Sequence, residues 1–239
     1  MLSKSQIKLI TSLKQKKYRQ QHGFFVVEGI KTINELLNSN FVLHTLYTTD
    51  SFNINAINEV IISNSDLKRI SFLTSPNKAL AIFKTPKAKN IDESGLIVAL
   101  DSISDPGNLG TIIRLCDWFG VKELVCSKET VDCYNPKVIQ ATMGSIARVN
   151  VNYVDLAQFL KASNLPVYGA FMEGESVYLK TTLEDGIIVM GNEANGVSKE
   201  IESLISEKIS IPRFGDFQAT ESLNVATAAA VLLSEFKRR

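Results

Sequence analysis

The sequence predicts an α/β fold in two parts, a small mixed unit ahead of a larger, mostly parallel sheet with crossover helices. Three observations predict it. Short apolar runs such as LIVAL (96–100) and GIIVMG (186–191) read as strands buried on both faces. Helical patterns separate those runs, as connections between parallel strands require. A polar stretch holding Pro86 and Gly95, KTPKAKNIDESG (84–95), divides the chain where its charge changes sign.

The elements follow in order. Ahead of the divide, the pattern predicts a helix over Lys4 to Arg19, a strand at FFVVEG (24–29) and a helix over 30–39. Strands follow at 44–49 and 59–63, then a helix near 65–70. After it come strands at LIVAL, KELVCS, RVNVNYV, PVYGAF, GIIVMG and KISIP. Helices are expected over 110–119, 136–146, 155–163, 198–206 and 221–236. The last is apolar nearly all round, which predicts burial or a subunit interface. The domain reading is 1–88, a linker at 89–95, and 96–239. In parallel sheets ligands sit at the carboxyl ends of strands, so the loops after strands in the second part are where chemistry is expected.

Composition narrows the function. Hydrophobic content is 45% and charged content 21%, ordinary for a globular chain. No apolar run approaches the ~20 residues of a membrane span, and the basic N-terminus lacks the apolar core of a secretory signal. Three cysteines (Cys116, Cys126, Cys133) form no CxxC pair, which points to reduced thiols in a cytoplasm. With only His22 and His44, a histidine triad or zinc site is disfavoured, and no metal is expected. Residues 1–91 carry 13 Lys and Arg against 5 Asp and Glu; residues 92–239 carry 13 against 20. Seven of the basic residues lie within 1–31. That polarity points to a polyanion bound through the first part, against the plain alternative of a solvated lysine-rich helix.

Three loops carry candidate chemistry. DSISDPGNLGTIIR follows LIVAL; its turn formers Asp105 to Asn108 precede a helix that carries Arg114. The plain reading pairs Arg114 with Asp117 at i,i+3. MGNEANGVS follows GIIV: Gly191 and Gly196 flank Asn192, Glu193 and Asn195, and Ser198 suits an N-cap. A turn plus cap explains Ser198 but leaves Glu193 unexplained. IPRFGDFQATESLNVATAAAVLL follows KISI, with Ser222 and Asn224 suited to capping or to a site. Neither a G-x-G-x-x-G nor a G-x-x-x-x-G-K-[ST] cradle is present, so standard dinucleotide and NTP sites are disfavoured.

Together the loops resemble the three motifs of the SpoU (TrmH-like) RNA ribose 2′-O-methyltransferases of the SPOUT class. The matching residues are Asn108, Gly110 and Arg114; Gly191 to Gly196; and Ile211, Pro212 and Glu221 to Val225. FFVVEGIKTINELL resembles the start of a substrate-binding domain fused to that family, itself similar to kink-turn-binding ribosomal proteins. The resemblance implies a deep trefoil knot, S-adenosylmethionine as cofactor and a homodimer through the C-terminal helix. Met190, Gly191, Gly196, Ile211, Pro212 and Leu223 would hold the cofactor. Asn108, Arg114, Glu193, Ser222 and Asn224 would line the reacting ribose, with Arg114 as phosphate clamp or, if strongly perturbed, as base. Three features depart from the family pattern: FGDFQAT lengthens the third motif, Arg213 replaces an apolar residue, and Ala226 stands where Ser is frequent. The implied partner is RNA, ribosomal RNA ahead of tRNA. A non-catalytic RNA-binding or ribosome-assembly factor is the reading from a different class.

Overall fold

The computed structural model describes residues 2–52, 58–179, 186–215 and 222–238. The chain forms two compact units, residues 1–87 with 132–147, and residues 88–131 with 148–239.

The first unit begins with α1 (Lys4–Ser12) and α2 (Lys16–His22), where the sequence predicts one helix. The break has a physical cause. The Thr11 and Ser12 hydroxyls turn back onto the carbonyls of Ile7 and Leu9, and Arg19 donates to the carbonyls of Leu13 (2.9 Å) and Lys14 (2.8 Å). The Leu13 and Lys14 carbonyls, which a continuous helix would use, are thus satisfied by a side chain. The same guanidinium binds Asp132 at 2.5 Å and is buried, so Arg19 leaves the basic surface counted from the sequence.

β1 (Phe24–Glu28), α3 (Ile30–Leu37), β2 (Leu43–Thr48), β3 (Glu59–Ile61) and α4 (Asn64–Ile70) follow the sequence pattern. β4 (Ala79–Lys84) does not: the sequence pattern leaves it outside every element, yet it is a central strand of a sheet ordered β1-β4-β2-β3. Its residues 79–83 are all buried, antiparallel to both neighbours. Two alanines weaken its strand propensity, and burial on both faces overrides that.

The second unit holds a sheet ordered β10 (Glu207–Ser210), β8 (Val167–Ser176), β9 (Gly186–Met190), β5 (Leu96–Leu100), β6 (Glu123–Ser127) and β7 (Asn150–Val154), with every pairing parallel. β5 (Leu96–Leu100) is wholly buried, as the run LIVAL predicts. α5 (Pro106–Trp118) starts four residues earlier than expected. Asp105 caps it by accepting from the Asn108 N–H at 2.8 Å, and Pro106 opens its first turn. Asn108 is therefore held by helical geometry, not by a free turn. β6 (Glu123–Ser127) follows, and the chain then returns to the first unit. There α6 (Pro136–Thr142) stops at Met143 and Gly144, both at positive φ, ahead of a 3-10 turn, Ser145–Ala147. Phe25 and Tyr134 rings lie 4.7 Å apart, and Gly144 abuts Glu35 so closely that a Cβ would lie 2.7 Å from it.

β7 (Asn150–Val154), α7 (Leu156–Ala162), β8 (Val167–Ser176), β9 (Gly186–Met190), α8 (Lys199–Glu202) and β10 (Glu207–Ser210) complete the sheet. α9 (Val225–Lys237) packs on α5 and buries Val225, Ala226, Ala229, Leu232, Leu233 and Phe236. Asn224 caps its start, so Ser222 and Leu223 precede it. Glu221 and most of the lengthened third motif lie outside the described residues. Among those described, no helix is long and apolar enough to cross a membrane.

Candidate functional site

The ends of β5, β9 and β10 bring all three loops together within the second unit. After β9, Asn192 and Gly196 exchange backbone hydrogen bonds of 2.9 and 2.8 Å, closing a tight loop over 193–195. Gly196 sits at φ +67°. Gly191 allows the closure: a Cβ there would lie 2.2 Å from the Gly196 carbonyl carbon and 2.2 Å from the Val197 nitrogen. The Asn192 amide oxygen accepts from the N–H of Ala194 and Asn195, and its nitrogen donates to the Ser102 carbonyl at 2.8 Å.

Two residues absent from the sequence reading hold this loop. Asp101, buried, accepts from the Ser198 N–H at 2.8 Å with one oxygen and from the Ser102 hydroxyl at 3.1 Å with the other. Ser102 adopts φ +61°, a left-handed backbone that costs a non-glycine residue about 1 kcal/mol. Ser127 Oγ accepts from its N–H at 3.0 Å, and Asn192 from the next loop fixes its carbonyl. A side chain directly after a strand, followed by a strained residue, is the signal that could have found them. Ser198 starts α8 without a side-chain cap bond; its backbone N–H, given to Asp101, is what matters.

The polar side chains converge on Asn108. Its amide nitrogen donates to Glu193 Oε1 at 2.6 Å, and its amide oxygen accepts from Asn224 Nδ2 at 2.9 Å. One amide thus ties the three loops together. Asn224 also accepts from the N–H of Ala226 and Thr227, so its capping and site roles coexist.

Beside this trio lies a cleft of about 690 Å³, in the size range of small-molecule sites. Met190, Gly191, Glu193, Gly196, Ile211, Pro212, Ser222 and Leu223 line it, as do Arg213, Val225 and Leu232. Every residue the resemblance assigns to a cofactor is therefore in its wall. Apolar side chains, exposed loop backbone and a carboxylate suit a ligand with an aromatic base, a polar backbone-reading edge and a cationic centre.

Arg114 is placed differently. It is exposed on α5, does not line the cleft, and has no hydrogen bond or ion pair among the described residues. Asp117, its expected partner, instead takes Arg148, at 2.9 Å from both Nε and Nη2. Cys116, Cys126 and Cys133 are buried thiols, and burial pushes Cys116 up to about 12. No group of His, Cys, Asp and Glu able to hold a metal occurs among the described residues.

An α/β sheet whose strand-end loops wall one cleft defines a small-molecule-binding α/β domain, and comparison with known proteins gives the family. Residues 95–234 match the model of the SpoU rRNA methylase family, and residues 4–81 match an MRM3-like substrate binding domain. The chain belongs to the SpoU rRNA methylase family. The 23S rRNA (guanosine(2553)-2′-O)-methyltransferase of Bacillus subtilis is 28% identical over 230 residues, covering 92% of this chain and 91% of that one. A TrmH-family protein from Porphyromonas gingivalis superposes with a TM-score of 0.89 at 36% identity, covering 99% of this chain and 98% of that one. An AdoMet-bound rRNA methyltransferase from Sinorhizobium meliloti gives 0.87 at 26% identity, covering 99% and 95%.

Proposed function

We propose that this chain transfers a methyl group from S-adenosylmethionine to a ribose 2′-hydroxyl of ribosomal RNA. The observation that carries the reading is the Asn108 amide, which joins Glu193 and Asn224 beside a cleft walled by the residues expected to hold the cofactor.

S-adenosylmethionine, when bound, supplies the methyl group as a sulfonium. The chain's own residues do the rest. Met190, Gly191, Gly196, Ile211, Pro212 and Leu223 hold the adenosine and methionine parts. Glu193 and Ser222, both on the cleft wall, face the ribose. Asn108 and Asn224 keep the Glu193 carboxylate aimed, so that the hydroxyl gives its proton to that carboxylate as its oxygen meets the methyl in line. Arg114 clamps a substrate phosphate and so orients the ribose.

The finer expectations belong to the same reading. Residues 1–88 form the RNA-binding domain, akin to kink-turn-binding ribosomal proteins, joined through 89–95 to the methyltransferase domain, 96–239. The C-terminal part of the methyltransferase domain carries the deep trefoil knot of the SPOUT class. Two copies pair through α9, and the enzyme works in the cytoplasm. The name of the Bacillus relative favours ribosomal RNA over tRNA.

The test uses purified protein, S-adenosylmethionine with a labelled methyl group, and separate unmodified rRNA and tRNA. Label in a 2′-O-methylnucleoside from rRNA is expected. Label confined to tRNA overturns the substrate, and an absence of both label and cofactor binding overturns catalysis.

A further inference from the structure

The chain contains one tryptophan, and it is 82% exposed at the end of α5. Trp118 stands four residues after Arg114, so both side chains share one helix face, about 6 Å apart at Cβ. A single exposed apolar side chain is ordinary; the indole draws notice because it shares its face with Arg114. Its surroundings are polar. Thr111 and Arg114 precede it on the exposed face, and Lys122 follows the helix, also exposed. Trp118 is the single exposed large hydrophobic residue of α5 among those described. An aromatic ring one turn from an arginine fits single-stranded nucleic acid, whose bases stack on the ring while a phosphate meets the cation.

We infer that Trp118 is a substrate-positioning residue: an unpaired base of the RNA stacks on its indole while Arg114 holds an adjoining phosphate. The inference rests on the proposed RNA reading. The helix that carries Asn108 at one end would then carry the base-stacking ring at the other, setting which nucleotide reaches the cleft. Stacking tolerates any base, so Trp118 fixes register along the strand, not base identity.

A single tryptophan makes the test direct. Full-length protein is titrated with large-subunit rRNA transcribed in vitro while indole emission and filter binding are followed together. Emission should be quenched with the midpoint of RNA binding, and S-adenosylmethionine alone should leave it unchanged. Trp118→Ala should raise the KM for RNA roughly 10- to 100-fold, the scale of one lost base stack. Trp118→Phe should restore most of it. Melting temperature, cofactor affinity and sedimentation should stay at wild-type values in both. Unchanged emission with RNA that is bound and methylated overturns the inference and leaves the enzymatic reading intact. A Trp118→Ala protein that sediments as a smaller species with an unaltered KM assigns the indole to a second copy. RNA neither bound nor methylated by wild type overturns both.

Discussion

Asn108 donates its side-chain N–H to Glu193 at 2.6 Å, across 85 positions of sequence. The bond aligns an exposed carboxylate at the cleft wall. Asn108→Ala should lower turnover about 100-fold, the cost of misaligned reacting groups, with the fold intact. Since Asn108 acts through Glu193, the double variant with Glu193→Ala should lose little more than the worse single one. Single-turnover label transfer by the three variants checks this.

Asp101 acts on the same loop from beneath. Asp101→Ala removes the acceptor for the Ser198 N–H and should weaken cofactor binding about tenfold, while Asp101→Asn keeps an acceptor and should bind near normally. Calorimetric titration with S-adenosylmethionine separates the two, and equal losses would deny Asp101 this role.

Arg114 lies outside the cleft of its own chain, so its removal should spare the cofactor. Arg114→Ala is expected to bind S-adenosylmethionine normally and to turn over at least ~100-fold more slowly. Normal turnover would end both the clamp and the base roles.

Gly191 has no room for a methyl group, since both backbone contacts at 2.2 Å belong to the facing strand of the loop. Gly191→Ala should cost roughly 1–3 kcal/mol of stability through overpacking and abolish cofactor binding. Thermal melting and calorimetry together check it; a variant that binds normally would show that the loop can open.

Glu28 supplies a pH signature in the first unit. Burial raises its carboxyl above 4.5, against the opposing pull of the Ser71 hydroxyl and the Phe72 N–H. A raised carboxyl favours the folded state when protonated. Its ionisation therefore costs stability as pH rises from the unfolded value through the folded one. Glu28→Gln keeps the acceptor and removes the charge. Its melting temperature should exceed wild type at neutral pH, and the gap should close below about pH 4.

Much of this was legible in the residues, and the exceptions are instructive. LIVAL could only be a buried strand, and the three loops fell at strand ends as a parallel sheet requires. The dipeptide Asp105-Pro106 reads equally as a turn or as an N-cap with proline in the first turn; packing of α5 on α9 decides for the helix. β4 went unread because alanine-rich strands look like nothing in isolation. Arg19 counted as surface charge because no local pattern announces a partner 113 positions away, at Asp132. Asp101 escaped because its partners are backbone groups of a distant loop.

Residues 132–147 cluster with the first unit although β5, α5 and β6 precede them. During synthesis the ribosome releases residues 1–87 well before residues 132–147. One core of the first unit, from Leu2 to Ile82, lies wholly within the first 87 residues and can assemble as they emerge. The contacts of Arg19 and Phe25 wait for Asp132 and Tyr134, by which time β5, α5 and β6 are already outside the tunnel.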